Sequence, residues 1–393
     1  MLSYRYLIIG GGIAADSAIQ AIRKIDPSGT IGVICKEDQS PYDRTMLSRS
    51  LWFGSNIDDI WRNTGNLGVS LHLSRTATTL FPDKRILYDH EGQIYGYDKL
   101  LIATGSTPRQ LETDLDDILY YRNIEDYFKL KALVEKHDHF CVIGGGFIGT
   151  ELAAALVSLK KDVTMIFPDK GLLGSILPMT ISKQLLSVMR SNGITMVPEE
   201  LATGAEKIGR EVVIKTNRDT ILAFDGVVVA MGTNPETAIA STGGLKLDGG
   251  GGIIVDDHLQ ATKPAIYAAG DVASFPSRIL GSIIRYEHAD NASAMGAVAG
   301  TNMAGGNVAY DYLPEFKSQI FDMQYHAVGD VSARYNYVID WIDEPASCNV
   351  FYLVNGQVRG ILFWNHRGDI EAARALISER KAHNVHTLKG LLR

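Results

Sequence analysis

Two short segments rich in small residues have the composition of a turn that holds a phosphate. Their residues are Gly10, Gly12 and Ala15 in the first segment, and Gly144, Gly146 and Gly149 in the second. In this pattern the first glycine permits a tight turn, the second lets backbone amides approach a pyrophosphate, and the third small residue lets a helix pack closely on a strand. The helix start offers unbonded amides and about half a positive charge. The pattern predicts two dinucleotide sites in one chain.

An acidic residue follows each segment at the distance expected of a ribose ligand. Glu37 lies about 22 residues past the first segment, and Asp169 lies 20 residues past the second. A carboxylate at this distance accepts hydrogen bonds from adenosine ribose hydroxyls. Asp169 has an alternative interpretation as a solvated loop carboxylate, because its strand ends at Phe167-Pro168. Lys170 is the only nearby cation that would receive a 2′-phosphate, so NADH is expected rather than NADPH.

The two segments belong to an internal duplication with an offset of 134 residues. Each copy passes from a strand through the turn into an amphipathic helix and then a second strand, which makes a βαβ unit. The predicted helices span 13–24 and 148–160, the second strands 31–35 and 163–167, the hairpin-like segments 85–97 and 211–224, and the closing buried strands 100–105 and 227–232. Gly105 and Gly232 end the two closing strands.

Two later segments complete the predicted architecture. Residues 265–271 form a buried strand ending in Gly270 and Asp271, followed by a helix over about 287–304. From about Tyr312 the strands are rich in aromatics and include Asn355-Gly356, a dipeptide that favours a two-residue hairpin. The fold class is α/β, with two nested Rossmann-like dinucleotide-binding domains and a small C-terminal α+β domain. The predicted domains are 1–112 with 242–311, 113–241, and 312–393.

Composition excludes several classes of function. The 393 residues are 46% hydrophobic and 21% charged, which is ordinary for a soluble globular protein. A net charge of −7 gives no general attraction to nucleic acid or to an anionic membrane surface. No apolar run approaches the roughly 20 residues of a membrane-spanning helix. Without a signal-peptide pattern at Met1, we expect a cytoplasmic protein. No metal site is predicted.

Longer strings resemble the FAD-dependent pyridine nucleotide reductases over residues 5 to about 330. These strings are PYDRTMLSR at 41–49 and YDKLLIATG at 97–105. Within the family the chain resembles the branch of bacterial ferredoxin and rubredoxin reductases and apoptosis-inducing factor. The strings FPDKG at 167–171 and RYEH at 285–288 look closest to apoptosis-inducing factor. The resemblance implies FAD in the first unit, NADH in the second, and hydride transfer between the two cofactors.

The resemblance also implies roles for residues around the flavin. Arg44 is expected near the pyrophosphate and Asp271, after Gly270, on the ribityl chain. The same groove would include Thr104 and Gly105. The helix that starts at Glu287-His288 would direct its N-terminus at the pyrimidine edge and stabilise the reduced flavin. Without the resemblance, His288 is interpreted as an ordinary helix-start residue.

Glu151 occupies the position at which the family places a glutamate beside the nicotinamide. The family partner of that glutamate is the lysine of an LSK motif, whereas this sequence has Leu47-Ser48-Arg49. We expect Arg49 and Glu151 to form an ion pair next to flavin N5. The guanidinium is wider than an ammonium and keeps its proton, so the hydride transfer is expected to be tuned differently.

A second departure from the family lies in the C-terminal segment. The family motif reads approximately PxFWSD, and its tryptophan covers the flavin, whereas residues 314–319 read PEFKSQ. Lys317 is interpreted either as a solvated loop residue or as a cation that stabilises the reduced flavin. Phe316 or Phe321 would then provide the aromatic cover.

The residues and the resemblance together predict an NADH-dependent flavin reductase. Reduced FAD is expected to pass electrons singly to a small iron-sulfur protein of the ferredoxin or rubredoxin type, or to a quinone or oxygen. The alternative function is an NADH redox sensor or assembly factor like apoptosis-inducing factor. A disulfide reductase is disfavoured because Cys35, Cys141 and Cys348 form no close pair in sequence. A homodimer is compatible with either function.

Overall fold

The computed structural model describes residues 1–392. Its strands, numbered in chain order, are β1 (Leu2–Ile9), β2 (Ile31–Ile34), β3 (Ser70–His72), β4 (Ala77–Phe81), β5 (Ile86–Asp89), β6 (Ile94–Ile102), β7 (Ser106–Pro108), β8 (Ile118–Tyr120), β9 (His139–Ile143), β10 (Asp162–Phe167), β11 (Thr195–Pro198), β12 (Ala202–Ile208), β13 (Glu211–Thr216), β14 (Ile221–Phe224), β15 (Gly226–Val229), β16 (Thr233–Pro235), β17 (Ile253–Ile254), β18 (Ile266–Ala268), β19 (Ala273–Ser277), β20 (Ser282–Ile284), β21 (Glu315–Ile320), β22 (Met323–Gly329), β23 (Asn336–Asp343), β24 (Ser347–Val354) and β25 (Gln357–Trp364). Its α-helices are α1 (Ile13–Ile25), α2 (Ile124–Val134), α3 (Phe147–Ser158), α4 (Met179–Ser191), α5 (Ala238–Thr242), α6 (Ala289–Met303), α7 (Ile370–Ser378) and α8 (Val385–Leu388).

The chain folds into two compact units, each assembled from separate stretches of sequence. The first unit comprises 1–43, 58–107 and 234–316, and the second comprises 44–57, 108–233 and 317–393. Residues 44–57, which the sequence assigned to the first nucleotide domain, group with the second unit, and so does most of the C-terminal segment. The three domain boundaries proposed from the sequence stay a prediction.

A seven-stranded sheet forms the centre of the first unit. Its strand order is β3-β2-β1-β6-β5-β4, and β18 pairs with β6. Strands β1, β2, β3, β6 and β18 pair in parallel, whereas β4 and β5 form an antiparallel extension. Leu7, Ile8, Leu100 and Leu101 are fully buried, as expected of parallel strands whose two faces are both covered.

Helices α1 and α6 of the first unit approach each other closely because α6 carries glycines at the contact. A Cβ atom placed on Gly296 would lie 2.2 Å from the carbonyl oxygen of Ala14. A Cβ atom on Gly300 would lie 2.2 Å from the carbonyl oxygen of Ala18. Glycine therefore allows the return helix to pack directly on the backbone of the helix that follows the first turn.

The second unit repeats the βαβ arrangement with its own parallel sheet. The strand order is β11-β10-β9-β15-β8, and an antiparallel sheet β12-β13-β14 accompanies it. Strand β9, helix α3 and strand β10 correspond to β1, α1 and β2 of the first unit. Helix α2 starts with a capping box, in which the Asn123 side chain and the Asp126 side chain each accept from the other residue's backbone amide.

The C-terminal segment from β21 onward, most of which belongs to the second unit, forms a five-stranded sheet of order β21-β22-β25-β24-β23, in which β22, β25, β24 and β23 pair antiparallel. Asn355 and Gly356 have φ angles of 52° and 76° between β24 and β25, which confirms the predicted hairpin. The sheet is attached to the rest of its unit by the Tyr352 hydroxyl, which donates to the carbonyl of Ile176 at 2.7 Å.

The fold class is confirmed, while some element bounds differ from those expected. The predicted hairpin over 85–97 and the closing strand over 100–105 share one continuous strand, β6, because the chain does not turn between them. The corresponding β14 and β15 of the second unit are separate strands in different sheets. The helix expected from 287 begins at Ala289. Among residues 1–392, no helix has the length and apolar character needed to cross a membrane.

Candidate functional site

The first glycine of each turn has a backbone conformation that other residues rarely adopt. Gly10 has a φ of 119° and Gly144 a φ of 122°. A Cβ atom at Gly10 would lie 2.1 Å from the carbonyl oxygen of Ala103, and one at Gly144 would lie 2.2 Å from that of Ala230. Each of these glycines is therefore required by the turn itself.

The second glycine of each turn faces open space at the start of a helix. Gly12 and Gly146 are the N-cap residues of α1 and α3, with extended backbone conformations. No atom of the described residues lies within 4 Å of a Cβ placed at either glycine, and no described side chain caps either helix. Amides at a helix start without such caps are suited to a phosphate. Both turns therefore fit the pyrophosphate of a dinucleotide.

The third position distinguishes the two turns. Ala15 is fully buried, so a methyl group fits there. A Cβ atom at Gly149 would instead lie 2.1 Å from the carbonyl oxygen of Gly144. Helix α3 therefore lies closer to its own turn than α1 does, and only the second unit needs glycine at this position.

Glu37 follows β2 and is oriented by a buried phenol. The hydroxyl of Tyr42, a residue only 1% exposed, donates to a carboxylate oxygen of Glu37 at 2.5 Å. The carboxylate remains partly exposed. The sequence predicts Glu37 as the ribose ligand but does not single out Tyr42, although Tyr42 lies within the string that carries the resemblance.

Three further positions predicted in the first unit lie just past the ends of the neighbouring strands β6 and β18. The Thr104 hydroxyl donates to the carbonyl of Glu236 at 2.6 Å, and Gly105 has a φ of 71°. The Ser106 hydroxyl donates to the carboxylate of Asp271 at 2.8 Å. Strand β18 thus brings Asp271 to the same sheet edge as Thr104.

Gly270 lies between β18 and Asp271 and faces helix α1. It has a φ of 82°, and a Cβ atom placed there would lie 3.2 Å from the Cβ of Ala14. A side chain at this position would be strained and tight against the start of α1. Gly270 therefore keeps the return strand close to the first turn.

The predicted helix-start residues also belong to the first unit. His288 is the N-cap residue of α6, and its ring stacks on Phe316 with centroids 4.6 Å apart and planes 15° apart. Glu287 accepts a hydrogen bond from Arg285 at 2.6 Å. Phe316 is itself buried.

Glu151, the fifth residue of α3 and therefore just beyond its first turn, is a buried carboxylate with three donors from the second unit. The Ser48 hydroxyl donates to its Oε2 at 2.6 Å, and Arg49 Nε and the Ser318 hydroxyl donate to its Oε1 at 2.8 and 2.6 Å. The predicted ion pair of Arg49 with Glu151 is therefore present. Its side chains are unequally exposed, at 39% for Arg49 and 4% for Glu151.

Tyr325 lies next to this cluster. Burial raises the pKa of Tyr325 well above its usual range, and the negative charge of Glu151 raises it further. The neighbouring Ser318 side chain acts in the opposite direction and lowers the pKa. Tyr325 therefore keeps its proton at neutral pH. Neither Ser318 nor Tyr325 was predicted.

The remaining predicted residues of the second unit do not join the Glu151 cluster. Asp169 lies two residues past β10 and is exposed, and Lys317 is exposed on β21. Gly232 has a φ of 87° with no described atom within 4 Å of a Cβ placed there. Arg44 donates to the carbonyl of Arg122 at 3.4 Å. Their roles at a cofactor stay predictions.

The cysteines of the chain are not arranged for disulfide chemistry. Within residues 1–392, Cys35, Cys141 and Cys348 are all buried and none forms a disulfide. Burial raises the pKa of the Cys141 thiol far above its usual range. Burial, with the nearby charge of Asp340, raises the pKa of Cys348 to about 12. These two thiols are therefore poor nucleophiles at neutral pH.

Comparison with known proteins gives consistent matches along the chain. Residues 4–296 match the family model described as pyridine nucleotide-disulphide oxidoreductase. The chain is 34% identical to mitochondrial apoptosis-inducing factor 1 of Dictyostelium discoideum, over 96% of this chain and 79% of that protein. It is 30% identical to the ferredoxin reductase subunit of 5,5′-dehydrodivanillate O-demethylase of a Sphingobium species, over 94% and 92%. The crystal structure of a ferredoxin reductase from Rhodopseudomonas palustris superposes with a TM-score of 0.88 at 26% identity, covering 97% of this chain and 96% of that one.

Proposed function

The chain belongs to the pyridine nucleotide-disulphide oxidoreductase family, and we propose that it uses NADH to reduce FAD and passes the electrons singly to a small iron-sulfur protein. The coarser activity, that of an FAD-dependent pyridine nucleotide oxidoreductase, follows from the family and from the similarity to ferredoxin reductases. The choice of NADH and the nature of the acceptor are the proposed parts.

The environment of the three cysteines is the observation that favours an external acceptor. A disulfide reductase needs two thiols that exchange with each other and with substrate. Cys35, Cys141 and Cys348 are buried and none forms a disulfide within the described residues. Two of the relatives are named as ferredoxin reductases, whose partners are small electron carriers. Electrons are therefore expected to leave the flavin directly.

We assign FAD to the first unit. Bound FAD supplies a hydride acceptor that can release electrons one at a time. Gly10 and Gly12 shape the turn for its pyrophosphate, Glu37 accepts from the adenosine ribose, and Asp271 accepts from the ribityl chain. Tyr42 fixes one oxygen of Glu37 and leaves the carboxylate partly exposed for the ribose.

We assign NADH to the second unit. Gly144 and Gly146 provide the corresponding turn, and Asp169 accepts from the adenosine ribose. An exposed carboxylate also repels a 2′-phosphate, which supports NADH over NADPH. Glu151, with Arg49 paired to it, orients the nicotinamide end, so that the chain contributes to the reaction chiefly by positioning and fixed charge.

An anaerobic titration tests this assignment. The purified protein is expected to be yellow with one FAD per chain, and one equivalent of NADH should bleach it. Addition of an oxidised ferredoxin should restore the colour at a rate that rises with ferredoxin concentration. A protein that binds no FAD, or whose FAD is not bleached by NADH, would contradict the proposal.

A second function is favoured by the 34% identity to an apoptosis-inducing factor. In that function the protein is an NADH-responsive sensor or assembly factor with slow turnover, and the C-terminal segment changes its contacts with a partner. The exposed Lys317, at the position of the family tryptophan, is compatible with it. Rapid reoxidation by ferredoxin would favour the enzyme. Reduced flavin that persists for minutes with ferredoxin, quinone and oxygen alike would favour the sensor.

A further inference from the structure

The carboxylate of Glu151 receives more hydrogen bonds than its ion pair supplies. Arg49 reaches Oε1 through Nε only, and its side chain is 39% exposed. Ser48 and Ser318 each add a hydroxyl donor at 2.6 Å, one to each carboxylate oxygen. Both hydroxyls are buried, so water does not compete with them. The two serines therefore contribute to the position of the carboxylate independently of the arginine.

Ser318 comes from a part of the chain far from the α3 turn. It lies 167 residues from Glu151, on β21, where buried and exposed side chains alternate. Lys317 and Gln319 are exposed on this strand, and Ser318 is directed inward with Phe316 and Ile320. The pleat of β21 thus fixes which residue reaches Glu151.

A buried carboxylate is costly unless donors compensate its charge, and hydrogen bonds to an ionised acceptor are about twice as strong as neutral ones. Donors on both oxygens also fix the plane of the carboxylate, because rotation about its last bond breaks at least one of them. A single contact through Arg49 Nε leaves this rotation open. Ser48 and Ser318 together remove it.

We propose that Ser318 is a positioning residue that, with Ser48, holds the Glu151 carboxylate in the orientation used at the nicotinamide end of NADH. This inference rests on the proposed function for the role of Glu151, but the contact itself is independent of it. The C-terminal sheet would then supply a residue to the nicotinamide site, in addition to any interface role.

Stopped-flow reduction of the flavin at several NADH concentrations tests the role. Ser318→Ala should lower the limiting rate about tenfold and change the apparent NADH dissociation constant less than twofold, because the adenosine half of NADH is bound elsewhere in the unit. Ser318→Thr keeps the hydroxyl and should restore most of the rate. Gln319→Ala, on the exposed face of the same strand, is the matched control and should behave as the unaltered protein. Equal rates in Ser318→Ala and Gln319→Ala would overturn the proposal.

A double-mutant cycle in denaturant tests the contact without any turnover. Ser318→Ala should lower the unfolding midpoint more in the chain with Glu151 than in Glu151→Gln, because the lost bond is to a charge. Ser48→Ala should show the same coupling through the other oxygen. Equal shifts in both backgrounds for both serines would overturn the inference. Failure of NADH to bleach the unaltered protein would instead contradict the proposed function, and the cycle would still report on the contact.

Discussion

The first and second nucleotide units share one turn geometry and differ in the residues around it. Gly10 and Gly144 have nearly equal φ angles and the same close approach to a neighbouring strand carbonyl. Beyond the turn, the first unit has Glu37 fixed by a buried tyrosine, whereas the second has an exposed Asp169. The similarity reflects the shared requirement of a pyrophosphate. The difference is what we expect between a cofactor that stays bound and one that exchanges at every turnover.

The helices that follow the two turns, α1 and α3, also differ in their packing. Helix α1 accommodates Ala15 and is packed instead by glycines of α6, at Gly296 and Gly300. Helix α3 approaches its own turn so closely that Gly149 has no room for a methyl group. Similar motifs therefore place their tightest contact at different positions, and substitutions at matched positions should have unequal effects.

The largest expected effect is at the third position of the turns. Gly149→Ala should lower the free energy of unfolding by about 1 to 3 kcal/mol, because the new methyl group meets a backbone carbonyl. Ala15→Gly should lower it by about 1 to 2 kcal/mol, through the lower helix propensity of glycine and the lost burial of one methyl group. Chemical denaturation followed by circular dichroism measures both. A Gly149→Ala protein as stable as the unaltered chain would show that α3 moves away without cost.

The next effect concerns Glu37, the carboxylate that we assign to the adenosine ribose in the first unit. Glu37→Ala should weaken FAD binding by about 1 to 3 kcal/mol, since two ribose hydroxyls lose their acceptor. Tyr42→Phe should weaken it by about 1 kcal/mol, because the carboxylate remains but is no longer oriented. Equilibrium dialysis against FAD provides the two constants. If Tyr42→Phe loses as much affinity as Glu37→Ala, the tyrosine acts on the fold and not through the carboxylate.

The smallest effect is expected at the exposed carboxylate of the second unit. Asp169→Ala should narrow the preference for NADH over NADPH two- to fivefold, which is less than about 1 kcal/mol, because an exposed charge is screened by salt. Lys170→Ala is the matched control and should move the ratio in the opposite direction. The ratio of kcat/KM for the two nucleotides is the measurement. An unaltered ratio in Asp169→Ala would show that Asp169 does not contribute to the preference for NADH over NADPH.

Features confined to one stretch of sequence could be predicted from the residues alone, whereas contacts between distant stretches could not. The glycine turns and the Asn355-Gly356 hairpin depend on local backbone conformation, which composition reveals directly. Ser318 reaches Glu151 only because β21 and α3 meet in the second unit, and the residues around Ser318 in the sequence do not show this contact. The pair of Arg49 with Glu151 was predicted through family resemblance, since 102 residues separate them.

The direction of a side chain could not be predicted either, even within a string that resembles the family. Tyr42 lies within the string that resembles the family, but its bond to Glu37 depends on how the loop after β2 folds back. Alternation on β21 could have indicated that Lys317 and Ser318 point in opposite directions, had the strand been predicted there. Residues 314–319 were instead interpreted through the family motif, which carries no information on the pleat.

The assignment of FAD to the first unit and NADH to the second is tested most directly by adding one methyl group at each open glycine. A Cβ atom at Gly12 or Gly146 meets no described atom within 4 Å, so Gly12→Ala and Gly146→Ala should both fold. We predict that Gly12→Ala loses FAD on gel filtration, while Gly146→Ala retains one FAD per chain and requires about tenfold more NADH for half-maximal bleaching, a difference of ~1.4 kcal/mol. Loss of FAD from Gly146→Ala with full retention in Gly12→Ala would contradict the assignment.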